Sequence, residues 1–329
     1  MKIISQKTRP YLILAATILV LAIVDRGRGN VLSGATVFSA LQYLATLGPV
    51  ALGLSLTMLV REYDLSVAGV FGLAGCVAVL VGADYPALGF AAAMLTGAAS
   101  GFIQGLIITR LQMPSIGVTL GGLLTAIGLA YVITGNQTLS SDNIDLALAL
   151  NARVAGLFTP RSIIALALAV AFAMALYWLW IGRDLIAIGS DRRAAHTAGV
   201  RVDALMVAVF TTSGVLAALS GALLSYSLAS ASPSGLSDVL VPATAAAILG
   251  GVSLSGGTGT PLGVTAGVLM LGVLRAGLNA LGAPPFAHDM SMGAVLLAVA
   301  ILDAPGIRAF FGRFQMTGNR AEDQTVRAR

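Results

Sequence analysis

Apolar runs of about 15 to 24 residues follow one another along this chain, long enough to cross a bilayer as helices. Such runs leave few folds open. In lipid every backbone polar group must be satisfied inside the structure, so only helices or a closed barrel can span. Barrel strands are about ten residues long and alternate in polarity, whereas these runs are continuously apolar and rich in Ala, Leu and Gly. Length alone would allow two soluble domains, but only 10% of the 329 residues are charged and 57% are hydrophobic. Soluble chains carry about 25% charged residues. The expectation is an all-α polytopic membrane protein forming one transmembrane domain over residues 1–329.

Hydropathy places about ten segments, near 10–24, 36–60, 67–82, 86–108, 115–134, 162–181, 205–227, 241–252, 261–281 and 287–303. The segment at 241–252 is short and is broken by Pro242 and by Gly250-Gly251, so it need not cross fully. Residues 11–24 follow Lys2, Lys7 and Arg9 in signal-peptide fashion, but Arg26 and Arg28 come before any small-residue cleavage site. They are read as an uncleaved first anchor.

Short loops rich in Lys and Arg stay cytoplasmic. Three basic clusters are separated by even numbers of crossings: the N-terminal tail, the loop holding Arg183, Arg192, Arg193 and Arg201, and a tail over 304–329. All three are therefore expected in the cytoplasm, with both termini. Arg110 agrees, while Arg26, Arg28, Arg153 and Arg161 fall on the other side. Small residues recur at four-residue steps (Gly97, Gly101 and Gly105; Gly117 and Gly121; Gly263 and Gly267), a spacing that lets helices pack closely in lipid. A faint echo links "REYDLSVAGVFGLAG" at 61–75 with "GGVSLSGGTGTPLGVTAG" at 250–267, as expected of weakly repeated transporter halves.

Several chemistries are missing. A phosphate-binding P-loop needs a lysine, and Lys2 and Lys7 are the only ones, so "GGVSLSGGTGT" is no such motif. Cys76 is a lone thiol, and His196 and His288 lie near no other metal ligand, which excludes a structural zinc site. No Ser-His-Asp or paired-carboxylate set lies within the spans, so no catalytic residues are assigned. The carboxylates sit at span ends or in loops, which disfavours a proton relay. Arg275 is the ionisable group well inside a span. Asn279 shares its helix face, and Arg275 either snorkels or lines a pore.

One segment breaks the apolar pattern. "GRDLIAIGSDRRAAHTAGVRVDALM", residues 182–206, holds seven charges and a histidine. Ser190 or Asp191 can cap a short helix closed by Gly199, with Arg192 and Arg193 pointing to water or to a partner. A transport bundle without its own engine needs such a foothold.

Together with "ALGLSLTMLVREYDLSVAGVFGLAG" at 51–75, "LQMPSIGVTLGGLLTAIGLAYVITG" at 111–135 and "AAAILGGVSLSGGTGTPLGVTAGVLMLGVLRAGLNALG" at 245–282, this segment resembles the membrane permease subunits of ribose-, arabinose- and xylose-type bacterial ABC importers. The resemblance runs in order over nearly the whole chain. It implies an inner-membrane, multi-pass subunit that docks on an ABC ATPase subunit through the loop at about 182–204, with Gly189, Arg192, Arg193, Ala194, Ala195 and Gly199 as the contact set. It also implies a periplasmic solute-binding protein and a second permease copy or paralogue as partners, with lipid around the bundle and no nucleic acid. No cofactor is expected on this chain; ATP and Mg belong to the ATPase. The sequence departs from the family pattern at Arg61 and Glu62, where a Gly-Gly pair is usual, at Leu240 and Pro242, and at Arg275, so no particular sugar carries over.

The expected cargo is a small neutral solute, most simply a monosaccharide. Gln42, Ser55, Thr57, Asp64, Ser66, Gln104, Thr119, Arg275 and Asn279 are candidates to line its route. The rival readings are a stand-alone ion-coupled carrier and an ABC permease for a non-sugar solute.

Overall fold

The computed structural model describes residues 8–26, 29–31, 33–233 and 237–303. Lys2, Lys7, Arg28 and the expected tail over 304–329 lie outside them. Thirteen α-helices make up most of the described chain: α1 (Arg9–Val24), α2 (Gly34–Leu59), α3 (Val67–Val81), α4 (Pro86–Arg110), α5 (Ser115–Thr134), α6 (Ile144–Asn151), α7 (Pro160–Trp178), α8 (Trp180–Ser190), α9 (Arg192–Thr197), α10 (Val202–Ser227), α11 (Leu240–Leu249), α12 (Pro261–Ala280) and α13 (Pro285–Asp303). Two dipeptides, Leu139–Ser140 and Ser230–Ala231, pair antiparallel. By their contacts the residues form two compact units, Met1–Ala283 and Pro284–Arg329, the second represented here by α13.

Six helices are long and apolar enough to cross a membrane: α2, α4, α5, α7, α10 and α12. The other four expected segments coincide with shorter apolar helices, α1, α3, α11 and α13. Ten crossings are therefore not confirmed; α11, with ten residues, spans only about 15 Å at 1.5 Å per residue. The segment expected at 162–181 is also divided. Leu179 is extended (φ −85°, ψ 154°), which ends α7 and starts α8. Helix α6 lies in a stretch that hydropathy reads as loop, because eight residues are too few to register as a span.

Local chemistry sets several boundaries. Ser33 and Thr260 accept the N–H of the third residue on at the starts of α2 and α12. Thr159 and Ser162 form a reciprocal capping box around Pro160 at the start of α7. Gly135, at φ 59°, closes α5 in the left-handed conformation that glycine adopts without penalty.

The interior is built on α2, α3, α10 and α12, with α10 packed on α4, α3 and α2, and α12 on α2, α1 and α11. The most apolar stretch of α2 is 67% buried, whereas that of α5 is 17% buried. Small residues explain how α4 approaches α10. A side-chain carbon at Gly97 or Gly101 would run into the carbonyl oxygen of Gly214 or Phe210. Gly117 and Gly121, at the same spacing on α5, have nothing within 4 Å. Equal spacing thus serves packing on one helix and leaves an open face on another.

Candidate functional site

Helices α2, α7 and α12 each run between two polar regions, one at either end. At one end stands the charged segment. Asp191 caps α9, its Oδ1 accepting from the N–H groups of Arg193 (2.9 Å) and Ala194 (3.0 Å). Those two bonds hold the exposed Asp191 carboxyl below the usual range. Gly199, at φ 87°, closes the turn. Of the alternatives Ser190 and Asp191, Asp191 is the cap.

The expected contact set does not face one way. Gly189 is buried against the carbonyl of Leu59 and the backbone of Gly257, where no side-chain carbon would fit. Ala195 joins a core cluster with Leu185, Ile188, Leu59 and Met206. Arg192 is not directed wholly outward: its Nη2 donates to Glu62 Oε1 at 2.9 Å. Arg193, Ala194 and Gly199 remain exposed. The physical reason is the length of the element: a six-residue helix makes fewer than two turns and is anchored by the one buried side chain of Ala195, with Gly189 packed beneath it at the end of α8.

The two echoing segments meet beneath this foot. The Gly257 N–H donates to the Leu59 carbonyl (2.9 Å), and Arg61 Nε donates to the Ser255 carbonyl. Tyr63 and Thr244 share a hydroxyl–hydroxyl bond. Asp64 is buried and satisfied: Oδ1 accepts from the Ser66 N–H (3.0 Å) and hydroxyl (2.6 Å), and Oδ2 from the Ser213 hydroxyl (2.8 Å). Burial pushes this carboxyl above its ordinary value, outweighing the three bonds that lower it. Asp64 and Ser66 therefore tie the α2–α3 turn to α10.

The opposite end holds a cavity of about 480 Å³, lined by Gln42, Tyr43 and Thr46 of α2, Arg161 of α7, Gly272, Arg275 and Asn279 of α12, and Asp238 just before α11, among others. Gln42 lies 17 residues before Leu59, so the cavity sits about 25 Å along α2 from the foot at 1.5 Å per residue. Three of the nine expected route-lining residues come together here: Gln42, Arg275 and Asn279. The Arg275 guanidinium stands 5.7 Å from the Tyr43 ring centre, a cation–π contact on the cavity wall.

The other six lie elsewhere. Ser55 and Thr57 donate to the carbonyls of Leu52 and Leu54 in their own helix. Thr119 donates to the Ser115 carbonyl (2.8 Å) and to that of Tyr63 (3.2 Å). Gln104 donates to Ser100 and sits against Gly122. Asp64 and Ser66 serve the turn. Short hydroxyl side chains in helices commonly satisfy a carbonyl one turn back, and sequence alone does not separate that use from pore lining.

Arg161 is the residue that the sequence reading did not pick out. It is 6% exposed, with Nη1 donating to Ser227 Oγ and Nη2 to Gln42 Oε1, each at 2.7 Å. Gln42 Nε2 in turn donates to Thr159 Oγ1 (2.9 Å), which fixes the amide with its oxygen toward Arg161. The signal was available in "TPRS": a threonine followed three residues later by serine, with proline first in the helix, puts Arg161 inside a first helical turn rather than in a loop. Arg153, also expected on that side, stacks on Phe38 at 4.5 Å. Among the described residues no group of three or more His, Cys, Asp or Glu side chains is placed to hold a metal ion.

Comparisons with known proteins identify the kind of chain this is. A family model described as "Branched-chain amino acid transport system / permease component" matches residues 36–300. The chain is similar to the autoinducer 2 import system permease protein LsrC of Yersinia pseudotuberculosis serotype O:1b (strain IP 31758), 33% identical over 288 residues, 86% of this chain and 80% of that protein. Its likeness to the protein of the same name from Yersinia enterocolitica serotype O:8 / biotype 1B (strain NCTC 13174 / 8081) is 32% over 294 residues, 89% of this chain and 81% of the other. No solved structure matches.

Proposed function

We propose, from the premise that this chain belongs to the family of branched-chain amino acid transport system permease components, that it passes autoinducer 2 or a monosaccharide-like solute across the bacterial inner membrane. The chain is the multi-pass permease subunit of an ABC importer, a transport subunit rather than a catalyst. Importers of this kind work with an ATPase and a solute-binding protein. On our reading the ATPase sits on the 182–204 segment through Arg193, Ala194 and Gly199, while Gly189, Ala195 and Arg192 hold that segment to the bundle. The solute-binding protein delivers cargo at the cavity end, which faces the periplasm if the segment and both termini are cytoplasmic.

One observation carries the reading: α2 and α7 each run from the cavity to the foot, and α12 runs from the cavity to the loop on which Gly189 rests. Closure of an ATPase pair on ATP would displace the foot, and packed interiors transmit displacement because they compress little. A second copy of the chain or a close paralogue would complete the transporter, and the open α5 face bearing Gly117 and Gly121 is the surface offered to it.

The test is uptake in proteoliposomes. ATP-dependent accumulation should need the ATPase subunit, and reversing charge at Arg192 and Arg193 should uncouple ATP hydrolysis from uptake while the chain still inserts. Accumulation against a gradient by the chain alone would show a stand-alone carrier instead.

A further inference from the structure

We infer that the cavity is an acceptor-oxygen site whose specificity-determining residue is Arg161: it selects solutes through oxygens bearing full or partial negative charge and disfavours cationic ones. The inference rests on the cavity being part of the solute route, and it narrows the class of solute.

The Arg161 guanidinium is buried with neutral partners only. Ser227 and Gln42 each take one hydrogen bond, its Nε is buried with no partner, and among the described residues no carboxylate lies within ion-pair distance of it. A buried cation is costly unless it is paired. Here the pairing is incomplete, and the open space beside the group is the cavity itself. The group is also held in place, because Gln42 is fixed from behind by Thr159. An arginine pre-oriented in this way offers unused donors in a planar fork suited to carboxylates and to adjacent hydroxyl oxygens.

Among the described lining residues two cations face one carboxylate. The rest of the wall is balanced in formal charge, Arg275 against Asp238, and the last turn of α12 opposes the first turn of α7, so the net positive charge of the lining is that of Arg161. Low-dielectric walls focus such a potential into the cavity. Pinning α2, α7 and α10 together would explain the two hydrogen bonds of Arg161. It would not explain why a buried guanidinium without a carboxylate partner, its Nε left unbonded, borders a cavity with a net positive lining.

Charged thiol reagents read this potential without knowledge of the solute. In the full chain bound to its ATPase in nanodiscs, Cys76 is replaced by Ala and Ser39, an exposed lining residue, by Cys. Rates are compared for methanethiosulfonates carrying a sulfonate, a hydroxyl or a trimethylammonium group, each normalised to its rate with a free thiol. The sulfonate or the hydroxyl reagent should be fastest and the ammonium reagent slowest. The first order points to a charged solute and the second to a polyol. Arg161→Gln should reduce the sulfonate-to-ammonium ratio about threefold to tenfold, the scale of a local potential of one to a few kT, and Arg161→Lys should retain most of it. An ammonium rate equal to or above the others in the unmutated reporter overturns the inference, even if Arg161→Gln fails to assemble. So does a ratio unmoved by an assembled Arg161→Gln. Labelling that behaves as expected while ATP-driven uptake fails would instead count against the transport reading.

Discussion

The two ends of α2 are built on opposite plans. At Leu59 the backbone of one segment lies directly on the backbone of two others: Gly189 rests on the Leu59 carbonyl, and Gly257 hydrogen-bonds to it. The space nearby, between Ser55, Leu176 and Thr260, is only about 10 Å³. At Gln42 the same helix borders about 480 Å³ walled by long polar side chains. A backbone-on-backbone contact has no rotamers to give, so it passes on a push. A wall of side chains can rearrange around a guest. The contrast suits an element pushed at one end and binding at the other.

The largest test of that contrast is at Gly189. Gly189→Val should cost at least the 1–3 kcal/mol typical of an overpacked site, on the order of a large share of net stability, seen as a lowered melting temperature in detergent and loss of ATPase binding. Wild-type melting and uptake would mean the foot end is not rigid.

Next is Asp64, the polar lock of the same end. Asp64→Ala strands the Ser66 and Ser213 hydroxyls and should cost about 1–3 kcal/mol, whereas Asp64→Asn, which keeps a neutral hydrogen-bonding group, should cost less. Since burial raises the Asp64 carboxyl above its unfolded value, its contribution is full below that unfolded value and is lost as pH rises through the folded one. The Asn variant should remove this slope from a stability–pH profile.

A smaller effect is expected from the Glu62–Arg192 pair. Arg192 is about half exposed, so breaking the pair should cost about 0.2–1 kcal/mol. The charge-swapped double variant should recover most of it at low salt, and high salt should erase the difference. Smallest is Gly117→Ala, with nothing within 4 Å, expected to shift the melting of a single chain by less than about 0.5 kcal/mol. If uptake fails while melting holds, that face of α5 meets a second copy.

Much of this architecture was readable from the chain. The apolar runs marked the six long helices to within a few residues, and "SDRRAAHTAG" announced a capped short helix ended by glycine, which is what Asp191 and Gly199 form. Polar groups on apolar helices need partners, which marked nine candidates but did not show that Gln42, Arg275 and Asn279 alone among them would border the cavity. Arg161 was not marked, since counted as a loop charge it looked like an exception to the charge bias. Nor was the split within the foot legible, because Gly189 and Ala195 are small residues whose neighbours come from far away in the chain.

Sequence by itself determined the solvent of this protein and the family to which it belongs. Both follow from local, additive properties: hydropathy summed over a helix length, charge counted loop by loop, residues kept in order. Tertiary structure alone decided which polar side chains turn back on their own helix, which arginine is left with an unsatisfied nitrogen, and where backbone touches backbone. Those outcomes depend on what stands within a few ångströms after residues 100 or more positions apart have met, as Gln42 and Arg161 do. No periodicity along a single helix encodes that meeting.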